Sequence, residues 1–289
     1  MLAIYKKEMR TYFNSMIGYV YIALAVSLLS IQMYINNLLS GSPSMAGTLS
    51  NLFPTIAIVV FIPFLTMRIM SEEKKQRTDQ LLLTSPVSVE KIVFGKFLSL
   101  ASIFAIEMVI VALMPVILSS YGKVNFMLSY TAIIGYLLLG LAFLSLGFFI
   151  STCSENQIIA VIVSFVSFVI LLLLTSFASL IGSSNRSAFI VALVLAVVLC
   201  GVLYYMLNNM YIPIICFLAA AAVLVFLYYK KESVYDGFVR NLFAAISPME
   251  RFNTFLSGTL DLDAIIYFVS FISIFLFLSI QTVKKRRWQ

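Results

Sequence analysis

Long, unbroken apolar stretches decide what this chain can fold into. QIIAVIVSFVSFVILLLLTSF, from Gln157 to Phe177, carries no charge at all, and several other stretches resemble it. Each is close to the roughly 20 residues a helix needs to cross a bilayer. Of the 289 residues 62% are hydrophobic and 11% are charged, where a soluble domain carries about 25% charged residues. Folding alone cannot keep so much apolar surface from water. In lipid, the backbone is satisfied within the element only by helices or closed barrels. A barrel would show short alternating segments with polar lumen faces, which these runs are not. The expected fold class is an all-α integral membrane protein.

About eight spans are predicted, at Gly18–Asn36, Leu52–Met70, Phe97–Ser119, Ser129–Ser151, Gln157–Ile181, Ala188–Leu207, Tyr211–Tyr229 and Ala264–Val283. The sixth and seventh are separated only by Asn208, Asn209 and Met210, so residues 188–229 read as a hairpin. No internal repeat is visible, against the inverted repeats common in secondary transporters. With the N-terminus in the cytoplasm, thirteen of the 19 basic residues fall on the inner side. That bias places both termini inside. The net charge of +7 then reads as anchoring to the inner leaflet rather than as nucleic-acid binding. The first apolar run is long and has no A-x-A-like end, so it is expected to stay as an anchor.

In the N-terminal segment 1–17, Leu2, Tyr5, Met9, Tyr12 and Met16 recur at helical spacing, while Lys6, Lys7 and Arg10 leave that face. The pattern predicts an interfacial amphipathic helix. It serves either as an anchor for the first span or as an elbow that also touches a partner.

The longest charged run is TMRIMSEEKKQRTDQLLLTSPVSVEKIVFGKFLS, from Thr66 to Ser99. SEEKKQR is predicted to continue the second span as helix, with Glu72 facing Gln76 and Glu73 facing Arg77 at the favourable i,i+4 order. Ser85 and Pro86 read as a cap and first-turn proline of the next helix. The outcome is a stiff corner over residues 71–96, with Leu81, Leu82 and Leu83 as an apolar patch near its apex. Such a patch is either a docking surface or a face laid on lipid or neighbouring helices.

These residues resemble the loop after the second span in permease subunits of type-two ABC transporters, in the branch associated with gliding motility. YKKEMRTYFNSMIGYVY at the N-terminus, STCSENQIIAVIVSF before the fifth span and SPMERFNTFLSGTLDLDAIIYFVSFISIFLFLSIQTVKKRRW at the C-terminus agree with it. The resemblance spans most of the chain except about residues 183–231. It implies a six-span permease core, here with an inserted hairpin. It also implies a pair of permeases, as a second copy or a paralogue, docked on separate ABC ATP-binding subunits, with an auxiliary membrane subunit as a further partner. By that resemblance Glu72, Glu73, Thr78, Leu81, Leu82, Thr84, Ser85 and Pro86 couple the permease to the ATPase. Tyr5, Lys6, Lys7, Met9, Arg10 and Tyr12 belong to the elbow helix.

ATP and Mg are expected on the partner, with no cofactor or metal held by this chain. The nearest approach to a P-loop is Gly95-Lys96, but Phe97 follows it and Glu90 stands where the first glycine is required. There is no histidine and no nucleophile–base pair, so an enzyme is not expected. Cys153, Cys200 and Cys216 lack metal or disulfide spacing and read as small buried hydrophobes.

Two other regions carry candidates. Residues 230–263 read as external amphipathic helices, with Phe238, Leu242, Phe243, Phe252 and Phe255 as candidates for an outer gate or for plain interfacial packing. Glu107 lies midway along the third span, where a carboxylate costs about 2.5–3.5 kcal/mol on insertion scales. It is either a group on a membrane path or subunit interface, or an ordinary interhelical hydrogen-bond partner. The alternative to the ABC permease is an ATP-independent, proton-coupled secondary transporter with Glu107 as its proton site.

Overall fold

The computed structural model describes residues 1–78, 87–180 and 244–287. The regular structure of these residues is entirely helical. Six helices are long and apolar enough to cross a membrane, which marks a multi-pass membrane protein. They are α2 (Ile17–Leu39), α4 (Leu52–Lys75), the stretch Val89–Ser119, α7 (Phe126–Cys153), α8 (Gln157–Leu180) and α10 (Leu262–Arg287). Each falls on a predicted span. The two spans predicted within 188–229 lie outside the described residues. So do the external helix residues up to 243, and with them Phe238, Leu242 and Phe243.

Shorter elements complete the set. An amphipathic helix, α1 (Leu2–Asn14), precedes α2. The short α3 (Met45–Leu49) is capped by Ser44, whose Oγ accepts from the Gly47 N–H. The stretch Val89–Ser119 is broken into α5 (Val89–Val111) and α6 (Met114–Ser119). Pro115 explains the break: it has no N–H for the Val111 carbonyl, and its ring crowds that turn. Helix α9 (Pro248–Leu256) precedes α10 (Leu262–Arg287). Both α2 and α4 contain a π-helical stretch, at Tyr34–Leu39 and Ala57–Phe61.

The chain divides into two units, one formed by residues to Ile170 together with those from Arg251, the other by the residues between. In the second unit the Glu250 N–H donates to Ser247 Oγ, which caps the start of α9. Everything below concerns the first.

Its centre is α7. Most of its apolar length is buried against other helices, whereas little of α8 is. Helices α4, α5 and α10 pack around it. Small residues permit the approach: a methyl group on Gly140 would stand 2.1 Å from the Phe104 ring of α5, closer than any real contact. Ser151 of α7 donates to the Met67 carbonyl of α4 at 3.1 Å and accepts from the Ser71 N–H at 3.4 Å. Aromatic pairs fill the remaining seams, including Phe143–Phe168 between α7 and α8 and Phe255–Phe268 between α9 and α10.

Candidate functional site

The charged residues at the end of α4 are gathered into one cluster with α1 and α5. Helix α1 packs along α5. Gly95 makes this possible, because the Met1 carbonyl and the Ile4 side chain lie 3.2 and 3.4 Å from where its Cβ would be. Tyr5 then donates to Ser102 at 3.2 Å, and Tyr12 donates to the Leu65 carbonyl of α4 at 2.9 Å. The predicted face is therefore real at Tyr5 and Tyr12, with Met9 half-buried beside them. At its two ends it fails: Leu2 and Met16 are exposed, while Lys6, Lys7 and Arg10 face outward as expected.

The inward face of α1 also holds Glu8, which is buried. Its Oε1 lies 3.1 Å from the Lys96 ammonium. Lys96 has no exposure at all, and it also reaches Glu73 at 2.9 Å and donates to the Ile69 carbonyl at 2.8 Å. Lys7 closes the figure, 3.0 Å from Glu73 and 3.6 Å from Glu8. Two lysines and two glutamates thus alternate in a four-membered ring that joins α1, α4 and α5. Every charge in it has an opposite neighbour, which is the condition for burying such groups. Lys7 is itself only part-buried. Burial works against its charged form, but the Glu73 hydrogen bond and the Glu73 and Glu8 charges prevail, holding its ammonium above the ordinary lysine range. Burial, and then the Glu8 charge, push the Tyr12 hydroxyl up.

The end of α4 differs from the prediction in one respect. Glu72 takes the expected Gln76 contact at 3.4 Å and adds a two-point pair with Arg68. Glu73 does not meet Arg77. The helix stops at Lys75, and Arg77 has φ +57°, so it has left the helical face. Glu73 turns inward instead, where the buried Lys96 ammonium and Lys7 both meet it. Thr78 folds back over this end, its N–H donating to the Glu73 carbonyl at 2.9 Å. Lys74 reaches across to the Thr152 carbonyl of α7. A cleft of about 300 Å³ opens between α1 and the end of α4, lined by Lys7, Glu8, Tyr12, Arg68, Glu72, Glu73 and Thr78.

Of the eight loop residues singled out from the sequence, Glu72, Glu73 and Thr78 lie at this cleft. Leu81, Leu82, Thr84, Ser85 and Pro86 lie outside the described residues. The helix entering the third span starts at Val89 with Ser88 in the cap position. The cap and first-turn proline expected at Ser85 and Pro86 lie outside the described residues. Glu8 and Lys96 are the members sequence reasoning missed. Glu8 had a signal, since it follows Tyr5 by three residues and precedes Tyr12 by four, and so shares their face. Lys96 had none beyond its place after Gly95.

The remaining candidates lie elsewhere. Phe252 and Phe255 of α9 are fully buried, Phe252 with its ring 6.3 Å from Tyr136 and Phe255 against Gly135. Glu107 is buried among α2, α5 and α7, bonded to the Tyr21 hydroxyl, with Oε2 lacking any hydrogen-bond partner. Cys153 is exposed, contrary to the expectation of a buried thiol, because it is the last residue of α7 where the chain turns away from the bundle. A scan against protein-family models and a search of curated proteins each give no match.

Proposed function

We propose that this chain is the membrane-spanning permease subunit of an ATP-driven ABC transporter, working as an exporter in the cell membrane. In this reading eight spans cross the bilayer and both termini are cytoplasmic. Helix α1 is an elbow on the inner leaflet, and the segment beyond Thr78 docks on a separate ATP-binding subunit. Two permeases form the translocation path together.

The observation that carries the reading is the Lys96 ammonium held between Glu8 and Glu73. It ties together the two helices that flank residues 79–86 and fastens the first helix to both. A corner clamped this way transmits a displacement applied at its apex as rigid-body motion of the spans. A loop on free ends would absorb it. The six apolar helices and the resemblance of the Thr66–Ser99 stretch are consistent with this role.

The test is recovery of the tagged chain from its native membrane in mild detergent, with mass spectrometry of co-purifying proteins. A P-loop ATPase that accompanies the chain, and is lost with Leu82→Asp while the permease stays folded, supports the proposal. A chain that purifies alone, or a Leu82→Asp variant that keeps the ATPase and full transport, overturns it.

A further inference from the structure

The charge ring leaves one buried acid unexplained. Glu107 is 1% exposed. The Tyr21 hydroxyl is bonded to its carboxyl, and Oε2 is buried with no partner. A bare carboxylate there would carry a full charge with half its hydrogen-bonding capacity empty, in surroundings that cannot solvate it.

Among the described residues no cation stands near enough to compensate. The groups facing Glu107 from the helices around it are phenols, Tyr21 of α2 and Tyr136 of α7. Tyr136 is occupied, its hydroxyl donating to the Pro54 carbonyl of α4 at 2.9 Å. Of the charges on α1 and α4, Glu8 and Glu73 pair with Lys96, eleven residues earlier on α5. That is about 16 Å away at 1.5 Å per helical residue. Lys284 of α10 pairs with Glu90, at the far end of α5. Arg251 of α9 lies over the Tyr267 ring, 5.9 Å from its centre. Among the described residues, nothing positive reaches Glu107.

We propose that Glu107 is a proton-binding site: it rests in the bundle as a neutral carboxylic acid, with the proton on Oε2 and the Tyr21 hydroxyl bonded to the other oxygen. A proton is the one ligand that neutralises this group without needing a cavity. It leaves Oε2 for water only when the helices around it part enough to admit water. The inference rests on the packing of three helices. It stands independently of the ABC assignment and holds whether ATP or an ion gradient drives the protein.

The experiment is infrared difference spectroscopy of the full chain in lipid bilayers at neutral pH, in H2O and D2O. Wild type is expected to show a protonated-carboxyl C=O band that moves down in D2O. The band should be absent from Glu107→Gln and kept in Glu107→Asp. Tyr21→Phe should move it to higher frequency, because a hydrogen bond to the carbonyl is lost. A wild-type spectrum without the band, or a band that survives in Glu107→Gln, overturns the proposal. A band unmoved by Tyr21→Phe overturns the role given to Tyr21. Each variant is first checked for a wild-type unfolding midpoint. If Glu107→Gln fails to fold, the D2O shift and the Tyr21→Phe shift decide the question.

Discussion

The Lys96 ammonium lies 2.9 Å from the Glu73 carboxylate, and Lys96 itself has no contact with solvent. The pair joins α4 to α5 across the segment 79–86 that connects them, and Glu8 brings α1 to the same charge. Breaking a buried pair costs more than the pair contributes, because the partner is left charged and alone. Lys96→Met should therefore lower stability by about 3 kcal/mol, seen as a drop in the unfolding midpoint in detergent. Adding Glu8→Gln and Glu73→Gln to that variant should recover most of the loss. Lys284→Ala, which breaks only the exposed pair with Glu90, should leave the midpoint in place. A Lys96→Met variant as stable as wild type would show that the ring does not hold these helices together.

The approach of α5 to α7 depends on a missing side chain. Phe104 is fully buried and lies where a Cβ on Gly140 would go, so its ring has nowhere to move. Gly140→Ala should cost about 1–3 kcal/mol, as overpacking of a dense core does. Combining it with Phe104→Leu should be milder than Gly140→Ala alone. Additive losses in thermal unfolding would mean the two residues do not meet.

How much of this was legible beforehand depended on how local the signal was. The apolar runs gave six helices at nearly the expected places, because length and hydropathy are properties of each segment by itself. The Tyr5–Tyr12 face was legible for the same reason. Glu73 was assigned to Arg77 because the i,i+4 rule assumes that the helix continues. Nothing local says that Lys96, 23 residues on, will fold over the same carboxylate. Glu8 carries no apolar signal, although it occupies the right position between Tyr5 and Tyr12. Phe252 and Phe255 read as candidates for an outer gate or for interfacial packing. Their burial depends on Gly135 and Tyr136 of a helix more than a hundred residues earlier. Pairings between distant segments are what a single sequence conveys least.

The Tyr12 hydroxyl is a second fastening of α1. It is buried and donates to the Leu65 carbonyl at 2.9 Å. Tyr12→Phe keeps the ring's packing and removes only that bond, so the expected loss is about 1 kcal/mol. Proteolysis at the N-terminus should become faster in step, since α1 would detach more often. Cleavage at the wild-type rate would mean that ring packing alone holds the helix.

Lys7 gives the cluster a pH signature. Its ammonium is held above the ordinary lysine value of 10.5, since Glu73 and Glu8 outweigh the penalty of partial burial. A group whose pKa is raised on folding stabilises the folded state fully below its unfolded pKa. That stabilisation fades as the pH rises past the unfolded pKa and is gone above the folded one. The gap in unfolding midpoint between wild type and Lys7→Met should thus be constant from neutral pH upward, and should persist as the pH reaches 10.5. It should close only beyond that point. The comparison isolates Lys7, because every other charged group is present in both proteins. Lys6→Met is the control: Lys6 is exposed and has no ion pair among the described residues, so it should show no gap at any pH. Concentrated salt should narrow the Lys7 gap, since Lys7 is the exposed corner of the ring. A gap that closes below 10.5 would mean that burial, and not the carboxylates, governs Lys7. The four-membered ring would then reduce to the buried bridge of Glu8, Lys96 and Glu73.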